Sequence, residues 1–549
     1  MRNISNKVIN YTMNKIEVIN FISKHKRILI PSFVIISYLF FYFFIDFSTQ
    51  SLVAHDEGLY ARRARLIEES FNWFSSPFST PHHKTLGSYW FIALSIRLFG
   101  TNELALRLPS VVCSFLCLIS TYFIALKISN KKAAFIAVFS LSSMPLWIQY
   151  SRYASPDIPF VLCILLVILF FIKFLESKRD RYKFFYILFS GLFISTSFFV
   201  RSYMMFVPLI GLTPFIFFHL FRSKNIYISF FVIGFSIGSI PIAINLFYSY
   251  KKFGLSGISA LFDFARNQAI GRFDFINLLL LPLNYLYLTF PIGILFIILL
   301  LFTKSNNKIK YPLLIYFYPS LSFVIFLFMS TTYPHYYLFL LPSLSLLFSV
   351  NIQSYLYRFS ISKEIIKYLL ISLITVISCI LVSITLFYNK FFVLHNDNKS
   401  IFIYIMSTFI IFSFILSLRY LYDSIYSEFN LLKLLYNLII PQYISLSLLY
   451  NFGVIGNPNQ NTKLFLNDKY ISSIISNNTI YLYNVDSKIQ TLLSYYLPHS
   501  KIIKSPTDIE QLNYVITSDK GILEYYKDES IFKLINNIDD HFLLINISK

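Results

Sequence analysis

The chain has 549 residues, of which 56% are hydrophobic and only 13% are charged, and its mean hydropathy is +0.62. Soluble proteins carry about 25% charged residues, so the composition excludes a cytosolic enzyme, a disulfide-rich secreted module and a disordered chain. Its repeated apolar runs of about 20 residues also exclude an outer-membrane barrel, whose strands alternate and span about 10 residues. The sequence predicts a polytopic α-helical membrane protein.

The net charge of +21 could indicate a nucleic-acid partner. Basic residues, however, collect in the loops between apolar runs, where they fix the orientation of a membrane protein. No basic stretch is interleaved with aromatic residues as a groove for single-stranded nucleic acid would require. We therefore predict that the partners of the protein include membrane lipids and do not include nucleic acid.

The predicted topology begins with a polar cytoplasmic tail at residues 1–27. Residues 28–450 form the transmembrane domain, in which 47–103 is the first extracytoplasmic loop. Five successive loops predicted to lie inside are basic, as the orientation rule requires. The thirteen predicted spans are about 28–46, 104–128, 132–150, 157–176, 184–200, 203–221, 226–247, 275–302, 312–330, 336–351, 368–388, 400–418 and 431–450.

After the last predicted span the composition changes. Residues 455–549 are rich in Asn, Ser, Asp and Lys and contain no run long enough to cross a bilayer. We predict a small extracytoplasmic α/β domain, so that the fold class is an all-α polytopic membrane protein with a C-terminal α/β domain. Its predicted strands are Thr479–Val485, Tyr514–Thr517 and Phe542–Ile547, and its predicted helices are Ser487–Tyr496 and Ser530–Asn536.

Two loops predicted to lie outside are basic and so oppose the orientation rule. They hold Lys84, in the loop 47–103, and Arg272, in the loop at about 248–274. Positive charge on the translocated side indicates an anionic substrate at the outer membrane face. The alternative is an ordinary solvated loop surface.

Polar residues beside the spans are informative because the bilayer makes them costly. Asp56 and Glu57 begin a helical stretch, where they could simply cap the helix. His82 and His83 with either acid could bind a divalent metal, although their spacing is not specific for one. A transporter would place such groups at the bilayer midplane. These acids and histidines are instead predicted to lie at the membrane surface, which favours a lipid substrate with a polar head.

Several motifs, in order along the chain, resemble the aminoarabinose transferase and protein O-mannosyltransferase group. These proteins are GT-C glycosyltransferases that take sugars from polyprenyl-phosphate carriers. The resemblance covers about residues 28–345. Its motifs are Asp-Glu-x-x-Tyr-Ala at 56–61, Lys84 with Gly87-Ser88-Tyr89-Trp90, Phe99 to Glu103, Arg107-Leu108-Pro109, Arg152 to Asp157, Gly271-Arg272-Phe273 and Pro334-His335-Tyr336.

The resemblance implies a role for each matching residue. Asp56 corresponds to the catalytic acid, with Glu57 beside it, and Asp157 to a second functional acid. Lys84 and Arg272 correspond to the bases that hold the lipid-linked phosphate. The remaining implied site residues are Arg201 for the phosphate and Tyr60, His83, Arg152, His335 and Tyr336 for the substrate.

The chain also departs from the group's pattern. Many members have an acid before the lysine and a proline after it, whereas this chain has His83 and Thr85. A Thr-Lys-Gly motif near the fifth span is replaced by Val200-Arg201-Ser202, which keeps the positive charge.

The implied function is an inverting glycosyltransferase in the plasma (inner) membrane, with its active site on the extracytoplasmic face. It would move a hexose or pentose from a polyprenyl-phosphate carrier to a lipid, glycan or protein acceptor. The resemblance also implies a role in the cell envelope, such as the modification of lipid A. The resemblance implies no certain cofactor. One alternative is a transporter or flippase of lipid-linked sugars, and another is a structural assembly subunit. Only the enzyme would release polyprenyl phosphate.

Overall fold

A computed structural model describes residues 50–269, 310–356, 414–425 and 459–503, apart from 55, 76, 79, 83 and 330–332. It also describes residues 514–518, 532–538 and 541–546 and a few residues between 285 and 297 and between 411 and 457. Of Asp56 the backbone alone is described. The described residues belong to one compact unit, residues 47–549. Its α-helices are α1 Asp56–Ser70, α2 Gly87–Phe99, α3 Glu103–Ile128, α4 Lys131–Ser143, α5 Pro145–Tyr150, α6 Asp157–Glu176, α7 Asp180–Arg201, α8 Phe206–Leu220, α9 Asn225–Phe253, α10 Ser256–Ala269, α11 Tyr318–Leu327, α12 Leu340–Leu356, α13 Gln460–Asn467, α14 Lys469–Asn477 and α15 Ser487–Tyr496.

Among the described residues, five helical segments are long and apolar enough to cross a membrane. The protein is therefore a multi-pass membrane protein, and the predicted count of thirteen spans extends into residues outside the described ones. One segment, 180–220, has 41 residues, about twice the length that one crossing needs. It is interrupted by a 3₁₀ turn at Ser202–Met205, where Ser202 has φ 54°. This break divides the segment into α7 and α8, which correspond to two predicted spans.

Other predicted spans agree with the helices to different extents. The prediction for 157–176 coincides with α6. The prediction for 132–150 is interrupted at Met144, because Pro145 cannot donate the backbone hydrogen bond that would continue α4 into α5. Helix α2 is also apolar, but it has only 13 residues and is too short to span.

Helices α7 and α9 approach closely through glycine. A Cβ atom at Gly191 would collide with the backbone of Phe231, and one at Gly234 would collide with the backbone of Leu188. Small residues allow this approach, which dispersion forces then stabilise in an apolar environment. The packing fixes α7, whose last residue is Arg201.

The C-terminal α/β region, residues 460–546, contains five described strands, which are β1 Tyr481–Tyr483, β2 Lys501–Ile503, β3 Tyr514–Thr517, β4 Phe532–Ile538 and β5 His541–Asn546. They form a mixed sheet with the order β2-β1-β3-β5-β4. Strands β1 and β3 and helix α15 agree with the sequence predictions. The predicted helix Ser530–Asn536 is wrong, because Phe532–Ile538 is a strand that pairs antiparallel with β5. A short apolar run fits either structure, and pairing with distant residues decides between them.

Candidate active site

Lys84 lies in the loop before α2, and this loop is fastened to the end of α7. The Thr85 hydroxyl donates a hydrogen bond to the carbonyl of Phe198 at 3.2 Å. Gly87 packs so closely on Phe199 that a Cβ atom would lie 2.5 Å from the carbonyl oxygen of Phe199. Lys84 is thereby held near Arg201 at the end of the same helix.

The Lys84 ammonium contacts an aromatic partner. Its Nζ donates to the Tyr60 hydroxyl at 3.1 Å and lies 4.8 Å from the centroid of the Tyr60 ring. No carboxylate of the described side chains lies within ion-pair distance of this nitrogen. Burial lowers the pKa of Lys84, and the positive charges of Arg201 and Arg63 act in the same direction. An anion bound at this nitrogen would favour the charged form and so oppose the shift.

Arg201 and Asp157 form an ion pair beside Lys84. The distance from Arg201 Nη2 to Asp157 Oδ1 is 2.7 Å, and the two side chains are 11% and 6% exposed. Asp157 begins α6 and Arg201 ends α7, which are the helix ends that favour negative and positive charge respectively. The chain thus brings together two residues that the sequence predicted for one site.

Aromatic residues surround this ion pair. The Arg201 guanidinium lies 5.9 Å from the centroid of the Tyr336 ring, and Tyr60 and Tyr150 are near enough to interact with it electrostatically. The Tyr150 hydroxyl is 3.3 Å from Nδ1 of His335, which precedes Tyr336 in a 3₁₀ helix. The predicted residues Tyr60, Tyr336 and His335 therefore lie around the Lys84–Arg201 centre.

Glu57 lies in a different environment and is fully buried. Its carboxylate accepts two hydrogen bonds from Arg107, from Nε at 2.9 Å and from Nη2 at 2.8 Å. The backbone amides of Val53 and Ala154 donate to the same carboxylate at 3.0 and 2.9 Å. The bonds from Arg107 and Ala154 join the beginning of α1 to α3 and to the loop before α6, and the bond from Val53 closes the turn that leads into α1.

The other predicted site residues are placed as follows. Asp56 is the first residue of α1, next to Glu57. Arg152 is buried between α5 and α6, with its guanidinium 5.9 Å from the centroid of the Tyr450 ring. Arg272 and His83 lie outside the described residues.

His82, considered above as a metal ligand, is part of a polar cluster with Arg63 and Tyr89. Its Nε2 lies 2.8 Å from Arg63 Nη1 and 2.8 Å from the Tyr89 hydroxyl. Because a guanidinium only donates, Nε2 accepts that bond and its lone pair is occupied. The described residues contain no group of three His, Cys, Asp or Glu side chains that could hold a metal ion.

The sequence assigned no individual role to Arg63, Tyr89, Arg107 or Tyr150. Arg63 does lie in the basic loop 47–103 that was predicted to face an anionic substrate, and Tyr89 lies in a family motif. Burial raises the pKa of Tyr89, so its hydroxyl stays protonated at neutral pH. Arg107 was noticed only within a family motif. An arginine within the first turns of a predicted span, where charge is costly, is a signal that could have indicated a buried partner.

Two comparisons with known sequences match parts of the chain. Residues 83–243 match a family model described as dolichyl-phosphate-mannose-protein mannosyltransferase. An uncharacterized protein of Aquifex aeolicus (strain VF5) is 27% identical over 150 residues, which cover 27% of this chain and 30% of that protein. The match thus spans less than a third of that relative.

Solved structures match nearly the whole chain. ArnT from Cupriavidus metallidurans bound to undecaprenyl phosphate has a TM-score of 0.72 at 14% identity, covering 96% of this chain and 99% of that one. The apo form of ArnT has a TM-score of 0.67 at 15% identity, covering 95% and 98%. The resemblance to GT-C glycosyltransferases is thereby confirmed: residues 83–243 carry the pattern of the mannosyltransferase family model, and the chain is similar in fold to ArnT.

Proposed function

We propose that this protein is an integral-membrane glycosyltransferase that moves a sugar from a polyprenyl-phosphate carrier to a lipid, glycan or protein acceptor. The observation that carries the proposal is the half-buried ammonium of Lys84, which has a tyrosine but no described carboxylate as its partner. Such a cation is suited to the phosphate of a lipid-linked donor. The similarity in fold to ArnT, whose structure contains undecaprenyl phosphate, supports the same class of donor.

In the proposed reaction, an acceptor hydroxyl attacks the anomeric carbon as the bond from that carbon to the phosphate oxygen breaks. Negative charge grows on the departing phosphate, while the sugar passes through an oxocarbenium-like state. Lys84 would stabilise the charge together with Arg272, and Arg201 would add to the positive potential. Asp56 would accept the acceptor's proton, and a single displacement would invert the anomeric centre.

We assign the two adjacent acids of α1 to different tasks. Glu57 has its oxygens engaged by Arg107 and two backbone amides, so we propose that it positions α1. Asp56 is then the acid proposed for chemistry. Asp157, paired with Arg201, would hold that guanidinium in place.

A transporter of lipid-linked sugars is the alternative from another functional class. It would place ionisable side chains deep within the spans. In the described spans, the acidic and basic residues lie near the helix ends, as Asp157 and Arg201 do. This distribution supports chemistry at the membrane surface.

The decisive experiment measures release of polyprenyl phosphate from lipid-linked sugars by the purified protein in liposomes, using mass spectrometry. We expect release by the wild type and strong loss in Lys84→Met. Lys131→Met is a matched control, because Lys131 is exposed at the start of α4 and lies outside both basic loops predicted to face the substrate. Translocation of donor without release would favour the transporter. Screening several lipid-linked sugars in the same assay would identify the sugar.

A further inference from the structure

The C-terminal α/β region contacts the helix that begins with Asp56. Gly58 packs against α15, where a Cβ atom on this glycine would lie 3.3 Å from Leu492 Cα. Two turns later, Arg65 Nη1 donates to the carbonyl of Tyr495 at 2.9 Å. Two separate positions of α1 are therefore held by one helix of this region.

Glu103, the first residue of α3, provides a second connection. It is 8% exposed and receives two donors from the C-terminal region. Lys463 Nζ lies 2.6 Å from Glu103 Oε1, and the Tyr496 hydroxyl donates to the same oxygen at 3.0 Å. Since the side chains of Lys463 and Glu103 are only 12% and 10% exposed, solvent screens this ion pair less than an exposed one.

The residues that lead into α1 are also bound to Asn457 and Asn459, which directly precede the C-terminal region. The amide and hydroxyl of Ser51 donate to the side-chain oxygen of Asn457 at 3.0 and 2.6 Å. The Asn459 amide donates to the carbonyl of Leu52 at 2.9 Å. Together with the contacts of Gly58, Arg65 and Glu103, these bonds form what we call the α1 seam.

The beginning of α1 thus lies between two sets of contacts. Glu57 and Arg107 hold it to the membrane helices, and the α1 seam holds it to the C-terminal region. We propose that the C-terminal α/β region is a positioning element of the active site, which fixes the backbone at Asp56 through the α1 seam. This inference rests on the proposed function, in which Asp56 is the reacting acid. A displacement of about 1 Å at a reacting group can cost about 10²-fold in rate.

The seam variant for the test is Lys463→Met with Tyr496→Phe, which removes both donors to Glu103. Its matched control, Lys469→Met with Tyr483→Phe, makes the same two replacements within the C-terminal region. Lys469 is exposed, and Tyr483 lies in β1 of the sheet. Lys463→Arg keeps the ion pair and should retain wild-type turnover.

We expect kcat for sugar transfer to fall about tenfold in the seam variant, because Asp56 would be displaced by less than about 1 Å. KM for the donor should change less than kcat, since Thr85 holds the loop of Lys84 to α7, and only the contact of the Lys84 ammonium with Tyr60 depends on α1. The control should match the wild type in both parameters. An unchanged kcat in the seam variant, or an increase in KM without a fall in kcat, would overturn the proposal.

Hydrogen exchange gives a readout that does not depend on activity. Amides of residues 53–62 should exchange several-fold faster in the seam variant than in the control, with the wild-type rate retained in α6. Unchanged exchange would show that the seam does not hold α1. A wild-type protein that releases no polyprenyl phosphate would contradict the proposed function, while the exchange experiment would still test the contact.

Discussion

Arg107 and Glu57 form a bidentate ion pair, with side chains that are 3% and 0% exposed. The Arg107 guanidinium also donates to the carbonyl of Ser51 at 2.9 Å, so it binds both the helix α1 and the segment before it. A pair of this kind can be nearly neutral in net stability, but removal of one partner leaves the other charge buried and unpaired.

We therefore expect Glu57→Gln to destabilise the protein by about 3–5 kcal/mol, the range for breaking a buried pair. Loss of folded protein on heating, measured by fluorescence-detected gel filtration, would check this. The double variant Glu57→Gln with Arg107→Gln should be less destabilised than the sum of the single variants. Single variants as stable as the wild type would contradict the structural role of the pair.

Asp56→Asn should abolish transfer and leave folding intact, since it keeps the shape of the side chain and removes its charge. For a general base the expected loss is about 10²–10⁴-fold. Turnover of lipid-linked donor, measured at equal amounts of folded protein, provides the test. Glu68→Gln, on the same helix, is the control and should be active. Near-normal turnover in Asp56→Asn would remove this residue from the mechanism.

Lys84 and Arg272 should act on one donor phosphate. Each alanine variant should weaken donor binding and slow transfer, and the double variant should lose less than the sum of both losses, because the two cations serve the same anion. Donor affinity and turnover across the double-mutant cycle would measure the coupling. Strict additivity would show that the two residues bind different groups.

The lowered pKa of Lys84 predicts how donor binding depends on pH. The protonated ammonium binds the phosphate, so affinity is retained at low pH and falls as pH rises through the lowered pKa, earlier than for an ordinary lysine. Lys84→Arg should move this alkaline loss to higher pH, since a guanidinium stays protonated. Donor affinity measured across the pH range would test this, and identical profiles for wild type and Lys84→Arg would contradict it.

The predicted topology can be tested by cysteine labelling in intact cells. Ser256→Cys and Ser518→Cys lie in segments predicted to be outside, and both should react with an impermeant reagent. The parent chain without either replacement is the control for its four native cysteines. Labelling only after lysis would overturn the orientation and the proposed face of the active site.

The sequence predicted the bounds of some membrane helices well, but it missed part of the secondary structure of the C-terminal region. Residues 157–176 were predicted to the residue, because lipid demands a continuous apolar helix with its backbone bonds internal. The break at Met144 and the strand Phe532–Ile538 were missed. The break at Met144 depends on Pro145, which lies inside an apolar run. The strand Phe532–Ile538 depends on its pairing with β5, which the local hydrophobic pattern does not reveal.

For the site, the sequence indicated which residues matter better than what each one contacts. Lys84 and Arg201 were both assigned to the donor phosphate, and the structure places them near each other through the Thr85 bond to Phe198. The pairing of Arg201 with Asp157 was not predicted. Adjacent acids at 56 and 57 look equivalent in the sequence, and only the buried partner Arg107 separates their roles.

Helix α1 is held at two positions, by Glu57 to Arg107 and by Arg65 to the carbonyl of Tyr495. These contacts must remain in register, since one added residue rotates an α-helix by about 100° and lengthens it by about 1.5 Å. An insertion or deletion between Glu57 and Arg65 would therefore allow one contact only by sacrificing the other. The same change placed after Ser70 would leave both contacts intact. The fold therefore constrains the number of residues between Glu57 and Arg65 more than it constrains their identity.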